Sequence, residues 1–352
     1  MNICSIKKTF LYSIITMFYV FLSISSGDEK LKIFILAGQS NMVGHADAHT
    51  IATLFNSGSE RDERLTKLVF EKDSGLSKKV LEEQLSRAKK IDVLTGGISN
   101  DKIKNLPEGD EKKALEEKVK KHKVGHDAYL AKVTSSCVVS DRVYINSIAD
   151  GNVKSGKLGV GYGGGKNKLG PEYGFGLSIA EKIKGPILLI KTSWGGKSIN
   201  YDFRPPSVGE YQLNEKQKAD AKADQIRKNA SLNYRMMNEA IAKVLANLKD
   251  NHPDYNPNIG HEMAGFVWFQ GFNDQFSPEF RDNYKKNMIA FIKDIRKEYK
   301  TPKMPFVIGV LGTGRTAEKV GENKVSLGQR EAAKAPEFKG NVLAVESYKD
   351  YS

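Results

Sequence analysis

The chain has 352 residues, enough for one large core, and carries 55 Lys and Arg against 42 Asp and Glu, a formal net charge of +13. Its lysines are mixed with acidic residues, as in DEKKALEEKVKKHK (110–123), which reads as a solvated helix face; with no nucleic-acid motif beside it, a nucleic-acid partner is excluded. Two cysteines, Cys4 and Cys137, exclude a disulfide framework and make a cysteine-based metal site unexpected.

Residues 1–27 read as a secretory signal peptide. Lys7 and Lys8 precede an apolar run from Thr9 to Ile24, and Ser23, Ser25, Ser26 and Gly27 supply small residues for cleavage. Sixteen apolar residues are short for a membrane span. The expectation is export to the periplasm or the outside, with no stable membrane association afterwards. Cys4 leaves with the signal, and Cys137 is then alone.

The first element is an apolar strand in KIFILAGQSNMVGHAD (32–47). It stops at Ala37, and Gly38-Gln39-Ser40-Asn41-Met42 follows. A glycine there permits a tight turn or a close backbone approach. A serine just past a strand, opening a helical turn beside free N–H groups, suits a nucleophile; an N-cap serine is the plainer reading. From Thr50 to about Asp141 the chain is charged, lysine-rich and poor in aromatics, with helical composition at Leu76–Lys90 and Glu111–Val133. An inserted, mostly helical segment is expected there.

The tract GVGYGGGKNKLG (159–170) places Gly159, Gly161 and Gly164 in G-x-G-x-x-G spacing. It does not join a strand directly to a helix. It also fails the P-loop pattern, with Val160 in place of the first glycine and Asn167 after Lys166. A flexible or tightly turned loop is the reading.

A repeating order then begins. Pro171–Ile183 predicts a helix with proline in its first turn, and Pro186–Trp194 a strand ending at Gly195-Gly196. Glu215–Asp250 predicts a long helix and Met263–Gly271 a strand. Pro278–Tyr299 predicts a helix, Pro305–Gly312 a strand, Lys324–Ala335 a helix and Asn341–Ser347 a fifth strand. Short, nearly continuous apolar strands alternating with helices predict a parallel sheet covered on both faces. Ligands of such sheets sit beyond the carboxyl ends of the strands. The tails GQSNM, WGGKS, GFND and GTGR all fall at that edge.

Four blocks in order, AGQSNM (37–42), GPEYGFG (170–176), WGGKS (194–198) and FVWFQGFND (266–274), resemble those of SGNH-type hydrolases. The branch they are most similar to is the sialate O-acetylesterase and acetylxylan esterase group, carbohydrate esterase family 6. DFRPPS (202–207) and PEFKGNV (336–342) add to the likeness, which runs from Lys32 to about Ser347 with the charged segment unaligned. The resemblance implies an α/β, flavodoxin-like three-layer sandwich with a five-stranded parallel sheet. The domain would span 28–352, with the helical insertion at about 50–141. It implies a serine esterase that removes O-acetyl groups from sialic acid, xylan or another carbohydrate through an acyl-enzyme on Ser40. No metal or organic cofactor is implied, and the partner is the acetylated carbohydrate itself. Ser40 matches the nucleophile and lends its own N–H to the oxyanion. Gly195 or Gly196 matches the second-block glycine, Asn273 the third-block asparagine that completes the oxyanion hole, and Gln39 and Gln270 shape the site.

In that family the base is a histidine in an Asp-x-x-His block after the fifth strand. Here the sequence runs to VESYKDYS (345–352) without one. The expectation is a chain shorter than its relatives, with one side of the fifth strand exposed and with slow turnover. Of the six histidines, His45 and His49 follow Ser40 closely and His122 and His126 sit in the insertion. His252 and His261 precede the third strand, at the far end of the sheet. The rival reading is a non-catalytic carbohydrate-binding protein or inactive truncated esterase, for which Trp194 and Phe272 offer sugar-stacking faces. Trp268, within a strand, reads as core.

Overall fold

The computed structural model describes residues 29–94, 100–312 and 317–347. The signal-peptide expectation, and the GTGR tail beyond Gly312, lie outside the described residues.

Seven strands form the main sheet: β1 (Leu31–Gly38), β2 (Val143–Ala149), β3 (Asn152–Lys157), β4 (Ile187–Ser193), β5 (His261–Phe269), β6 (Phe306–Val310) and β7 (Val342–Glu346). Their order is β3-β2-β4-β1-β5-β6-β7, parallel throughout except for β3, which runs antiparallel to β2. The expected five-stranded, purely parallel sheet is therefore corrected to seven strands in a mixed sheet. The five expected strands are present. The two others escaped because neither reads as an apolar run. Strand β2 (VYINSIA) alternates between buried and half-buried positions and carries Asn146 and Ser147. Strand β3 (NVKSGK) is an almost wholly exposed edge, defined by its ladder to β2 and the turn at Asp150-Gly151.

Strand β1 shows why the central strands read as continuous apolar runs. Leu31, Ile33, Ile35 and Ala37 enter the core on one face, and Phe34 and Leu36 enter the core on the other. The first face packs on α6 (Leu232–Ala246), α7 (Pro278–Glu298) and α8 (Lys324–Ala333), through Tyr234, Met237, Phe291, Ile295 and Val325. The second packs on α5 (Pro171–Ala180) and on a helical stretch that includes α2 (Glu60–Val69), α3 (Lys78–Leu94) and α4 (Asp110–Ser135). A sheet between two layers of helices results. At its far edge, alternate residues of β7 remain open: Leu343 is 60% and Val345 44% exposed.

The long helix expected over Glu215–Asp250 is broken. It comprises Glu215–Lys218, Ala223–Asn229, α6 and Leu248–Asn251. The break before α6 is at Ser231, whose φ is 61°. The N–H groups of Ser231 and Asn233 donate outside the helix, to Tyr201 O and Asp202 O. Tertiary hydrogen bonds here override local helix propensity. Cys137 is a buried core residue, its thiol pushed up to about 11 by burial. Among the described residues no helix is long and apolar enough to cross a membrane.

Candidate active site

Ala149, Ser193, Gly38 and Phe269 stand side by side in register across β2, β4, β1 and β5. The segments that follow them leave from one level: Asp150, Trp194-Gly195-Gly196, Gln39-Ser40 and Gln270–Asn273. Strand β1 lies at the point where the strand order turns from one side to the other, the usual crevice of open parallel sheets. Backbone bonds extend the ladder past the strand ends, from Trp194 N to Gly38 O (3.2 Å), Gln39 N to Phe269 O (3.2 Å) and Asp150 N to Ser193 O (3.0 Å). Gly38 answers to this crowding. A Cβ there would stand 2.2 Å from Phe269 O, so any side chain would force β1 and β5 apart.

Ser40 opens a single helical turn, α1 (Ser40–Val43), anchored by buried Met42 and Val43. Among the described residues neither its N–H nor its hydroxyl is engaged in a hydrogen bond. The turn ends at Gly44, with φ of 83°, packed so closely on Gly170 that a Cβ would lie 2.3 Å from the Gly170 Cα. Here the glycine-rich tract finds its role. Gly161 N and Gly163 N both donate to Lys168 O, and Gly164 N donates to Gly44 O (2.9 Å). It is a tightly turned loop that buttresses the segment after Ser40.

Behind α1 lies a charged group in the core. Lys191, on β4, is fully buried and pairs at 2.7 Å with Glu172 of α5, also fully buried. Its ammonium donates further to Val43 O (2.8 Å) and Tyr162 O (2.9 Å), and Glu172 accepts from Gly170 N (2.9 Å). Burial holds the Lys191 pKa below the usual lysine value, opposed by the Glu172 carboxylate. The pair joins the end of α1, the glycine loop and α5 at one point.

The other wall is tied by amides. Gln39, with its side-chain amide oriented to satisfy both ends, donates to Lys197 O (2.8 Å) and Asn273 Oδ1 (3.3 Å) and accepts from Phe272 N (3.0 Å). Asn273 Nδ2 donates to Gly196 O (2.7 Å). Gln270 Nε2 donates to Lys197 O (2.8 Å) and to Asp274 Oδ2 (2.5 Å). Asp274 is fully buried and also accepts from Ile199 N and Asn200 N at 3.1–3.2 Å. Burial pushes its carboxyl up to about 7, against those donors. Tyr284 and Gln329 close the network, both donating to Gln270 O (3.0 and 2.8 Å).

The loops thus bring Gln39, Gly196, Gln270 and Asn273 into one hydrogen-bonded group beside Ser40. Gly195 faces elsewhere: its N–H donates to Asp150 Oδ1 at 2.6 Å. The other Asp150 oxygen lies 4.0 Å from Nε2 of His45, a pair open to solvent. His252 and His261 are at the opposite edge of the sheet. His252 packs against Arg142 O just before β2, and His261 is the first residue of β5. Trp194 and Trp268 are both buried and offer no open face, whereas Phe272 is exposed. Sequence reasoning missed Asp150, Asp274 and the Lys191–Glu172 pair. A lysine inside the apolar run PILLIKTSW was the one signal available for the last.

The family described as carbohydrate esterase, sialic acid-specific acetylesterase matches residues 150–348, more than half of the chain. The stretch holds Gly195, Gly196, Gln270 and Asn273 and begins after Ser40. No curated protein matches. Solved structures that match include a protein from Arabidopsis thaliana (15% identity, TM-score 0.42, covering 90% of this chain and 85% of the other). A carbohydrate acetylesterase from Xanthomonas citri matches at 11% identity and TM-score 0.42, over 90% of this chain and 49% of the other. NanS matches at 12% identity and TM-score 0.36, over 59% and 69%. By the family match, the chain belongs to the carbohydrate esterases of the sialic acid-specific acetylesterase family.

Proposed function

We propose that this protein is a serine esterase that hydrolyses O-acetyl esters of a carbohydrate, with Ser40 as nucleophile. The observation that carries the reading is the alignment of Ser193, Gly38 and Phe269, from which the segments bearing Gly196, Ser40 and Asn273 leave at one level. The Ser40 oxygen attacks the acetyl carbonyl carbon, and the carbonyl oxygen takes up the displaced electron pair. The N–H groups of Ser40 and Gly196 and the Asn273 amide donate to that oxygen; fixed donors of this kind contribute about 3 kcal/mol each. Gly196 is preferred to Gly195, whose N–H is already held by Asp150. The Ser40 proton passes to solvent water as the oxygen attacks; collapse of the intermediate breaks the C–O bond to the sugar, whose oxygen takes a proton from water, and leaves an acetyl-serine that water hydrolyses to acetate and free Ser40. Serine attack also requires a proton acceptor. His45, exposed and 4.0 Å from Asp150, is not assigned that role. Sialic acid and xylan esters both fit this chemistry. In this reading residues 1–27 are a signal peptide, 28–352 form the hydrolase domain with its insertion at about 50–141, and the substrate is met outside the cytoplasm.

The test is hydrolysis of 4-nitrophenyl acetate and of O-acetylated sugars by the purified chain, with Ser40→Ala beside it. Hydrolysis by the wild type and its loss in Ser40→Ala is the expected result. Asn273→Ala is expected to lower kcat by about 10²–10³. Activity that survives Ser40→Ala overturns the assignment.

A further inference from the structure

Among the described residues Phe272 and Phe276 are the two exposed phenylalanines. Phe272 is 45% and Phe276 67% exposed, on the short 3₁₀ turn Asn273–Phe276 and the residue before it. Their rings meet edge to face, with centroids 5.1 Å apart. Both line a cavity of about 500 Å³ with Gln275, Arg281, Asn323 and Lys324. Contiguous exposed apolar side chains rimmed by polar groups are the kind of surface that marks a ligand-binding site.

The turn is fixed at both ends. Phe272 N is held by the Gln39 side chain (3.0 Å), next in sequence to Ser40. Gln275 O accepts from Arg281 Nη1 (2.9 Å), and Gln275 Oε1 accepts from Asn323 Nδ2 (3.3 Å). The aromatic pair stands immediately beside Asn273 on a fixed turn, with amide groups, the charged Arg281 and Lys324, and the Glu322 carboxylate around it.

We propose that the open face of Phe276, braced edge to face by Phe272, is the platform on which the pyranose ring of the substrate lies. The axial C–H groups of a pyranose carry slight positive charge and suit the negative face of an aromatic ring. The polar rim meets the ring hydroxyls. This proposal rests on the esterase reading only for the seat of the acetyl group; the platform itself is continuous with Asn273 whatever Ser40 does.

The experiment measures sugar binding apart from turnover. Methyl 2-acetamido-2-deoxy-β-D-glucopyranoside, an amide that an esterase leaves intact, is titrated calorimetrically into the full chain. Methyl tri-O-acetyl-β-D-xylopyranoside is titrated into the full-length Ser40→Ala variant. Phe276→Ala is expected to weaken binding about tenfold. Phe276→Tyr is expected to bind like the wild type. Phe276→Leu keeps apolar bulk without a ring face and is expected to be as weak as Phe276→Ala, with near-UV circular dichroism confirming that each variant is folded. Leucine that binds as well as phenylalanine, an unaffected alanine variant, or a wild type that binds neither sugar overturns the platform. Aromatic-dependent binding without any Ser40-dependent hydrolysis would sink the esterase reading and leave the platform standing.

Discussion

Ser40 stands between two buried polar networks built on different principles. On the α1 side, Lys191 and Glu172 are opposite charges sealed in the core, and the lysine reaches two backbone carbonyls as well. On the Asn273 side, Gln270, Tyr284 and Gln329 are neutral, and the single carboxyl, Asp274, is met by two backbone N–H groups and an amide rather than by a cation. The first network has no cheap way to lose a member, because its partner would remain charged and dry. The second holds no buried ion pair, so a change of protonation strands no opposite charge. One side should therefore fail through stability and the other through pH.

Lys191→Met should produce the largest effect. It strands Glu172 in the core, and breaking such a pair costs about 3–5 kcal/mol. Replacing both members, as Lys191→Met with Glu172→Leu, should recover much of that stability. It should not recover activity, because Val43 O and Tyr162 O still lack their donor and α1 loses its tether. Urea unfolding and esterase turnover on the single and double variants separate the two. A double variant that regains both would show that the pair serves stability alone.

Asp274 comes next. Its folded pKa is raised by burial to about 7, while the unfolded value is that of an ordinary carboxyl. Between about pH 4 and pH 7 the folded protein keeps a proton that the unfolded chain has released. The contribution of this group is complete at low pH and is lost as pH rises through about 7. Asp274→Asn should cost about 1–3 kcal/mol, since its NH₂ turns toward donors. It should also flatten the decline, so that the gap between wild type and variant narrows from pH 5 to pH 8. Unfolding curves that run parallel at the two pH values would remove Asp274 from this account.

The same contrast explains what could be read from the sequence. Strands buried on both faces, such as β1 and β4, announce themselves as apolar runs, and β7 reads as one although one of its faces is open; the glycine-marked ends of β1, β4 and β5 locate Ser40, Gly196 and Asn273 at one edge. Strand β3 has no buried face to announce; the Asp150-Gly151 turn, a common hairpin signal, was the unused clue to it. The networks were hidden for another reason. Lys191 and Glu172 are 19 residues apart and belong to different elements, so neither periodicity nor spacing couples them. Asp274 sits next to a predicted site residue, yet its burial depends on the loop after β4 folding over it.

The smallest effects are expected at the rim, where Asp150 and His45 meet. Asp150 has one well-made contact: Oδ1 accepts from Gly195 N at 2.6 Å and fixes the turn that presents Gly196. A hydrogen bond to a charged group is worth about 1.5–3 kcal/mol at most, and this one acts on the proposed oxyanion donor, Gly196, indirectly. Asp150→Ala should therefore lower kcat about tenfold with little change in KM. Asp150→Asn retains an acceptor and should lose less. His45 differs. It is solvent-exposed and its 4.0 Å approach to Asp150 is a surface pair, a class worth about 0–1 kcal/mol. His45→Ala should change kcat/KM by no more than about threefold. Measured together at pH 7 and at low and high salt, the two variants rank the rim: the Asp150 effect should persist in salt, while any His45 effect fades. A loss of about 10²–10⁴ in His45→Ala would instead identify His45 as the proton acceptor for Ser40 and make the Asp150–His45 pair part of the chemistry rather than its border.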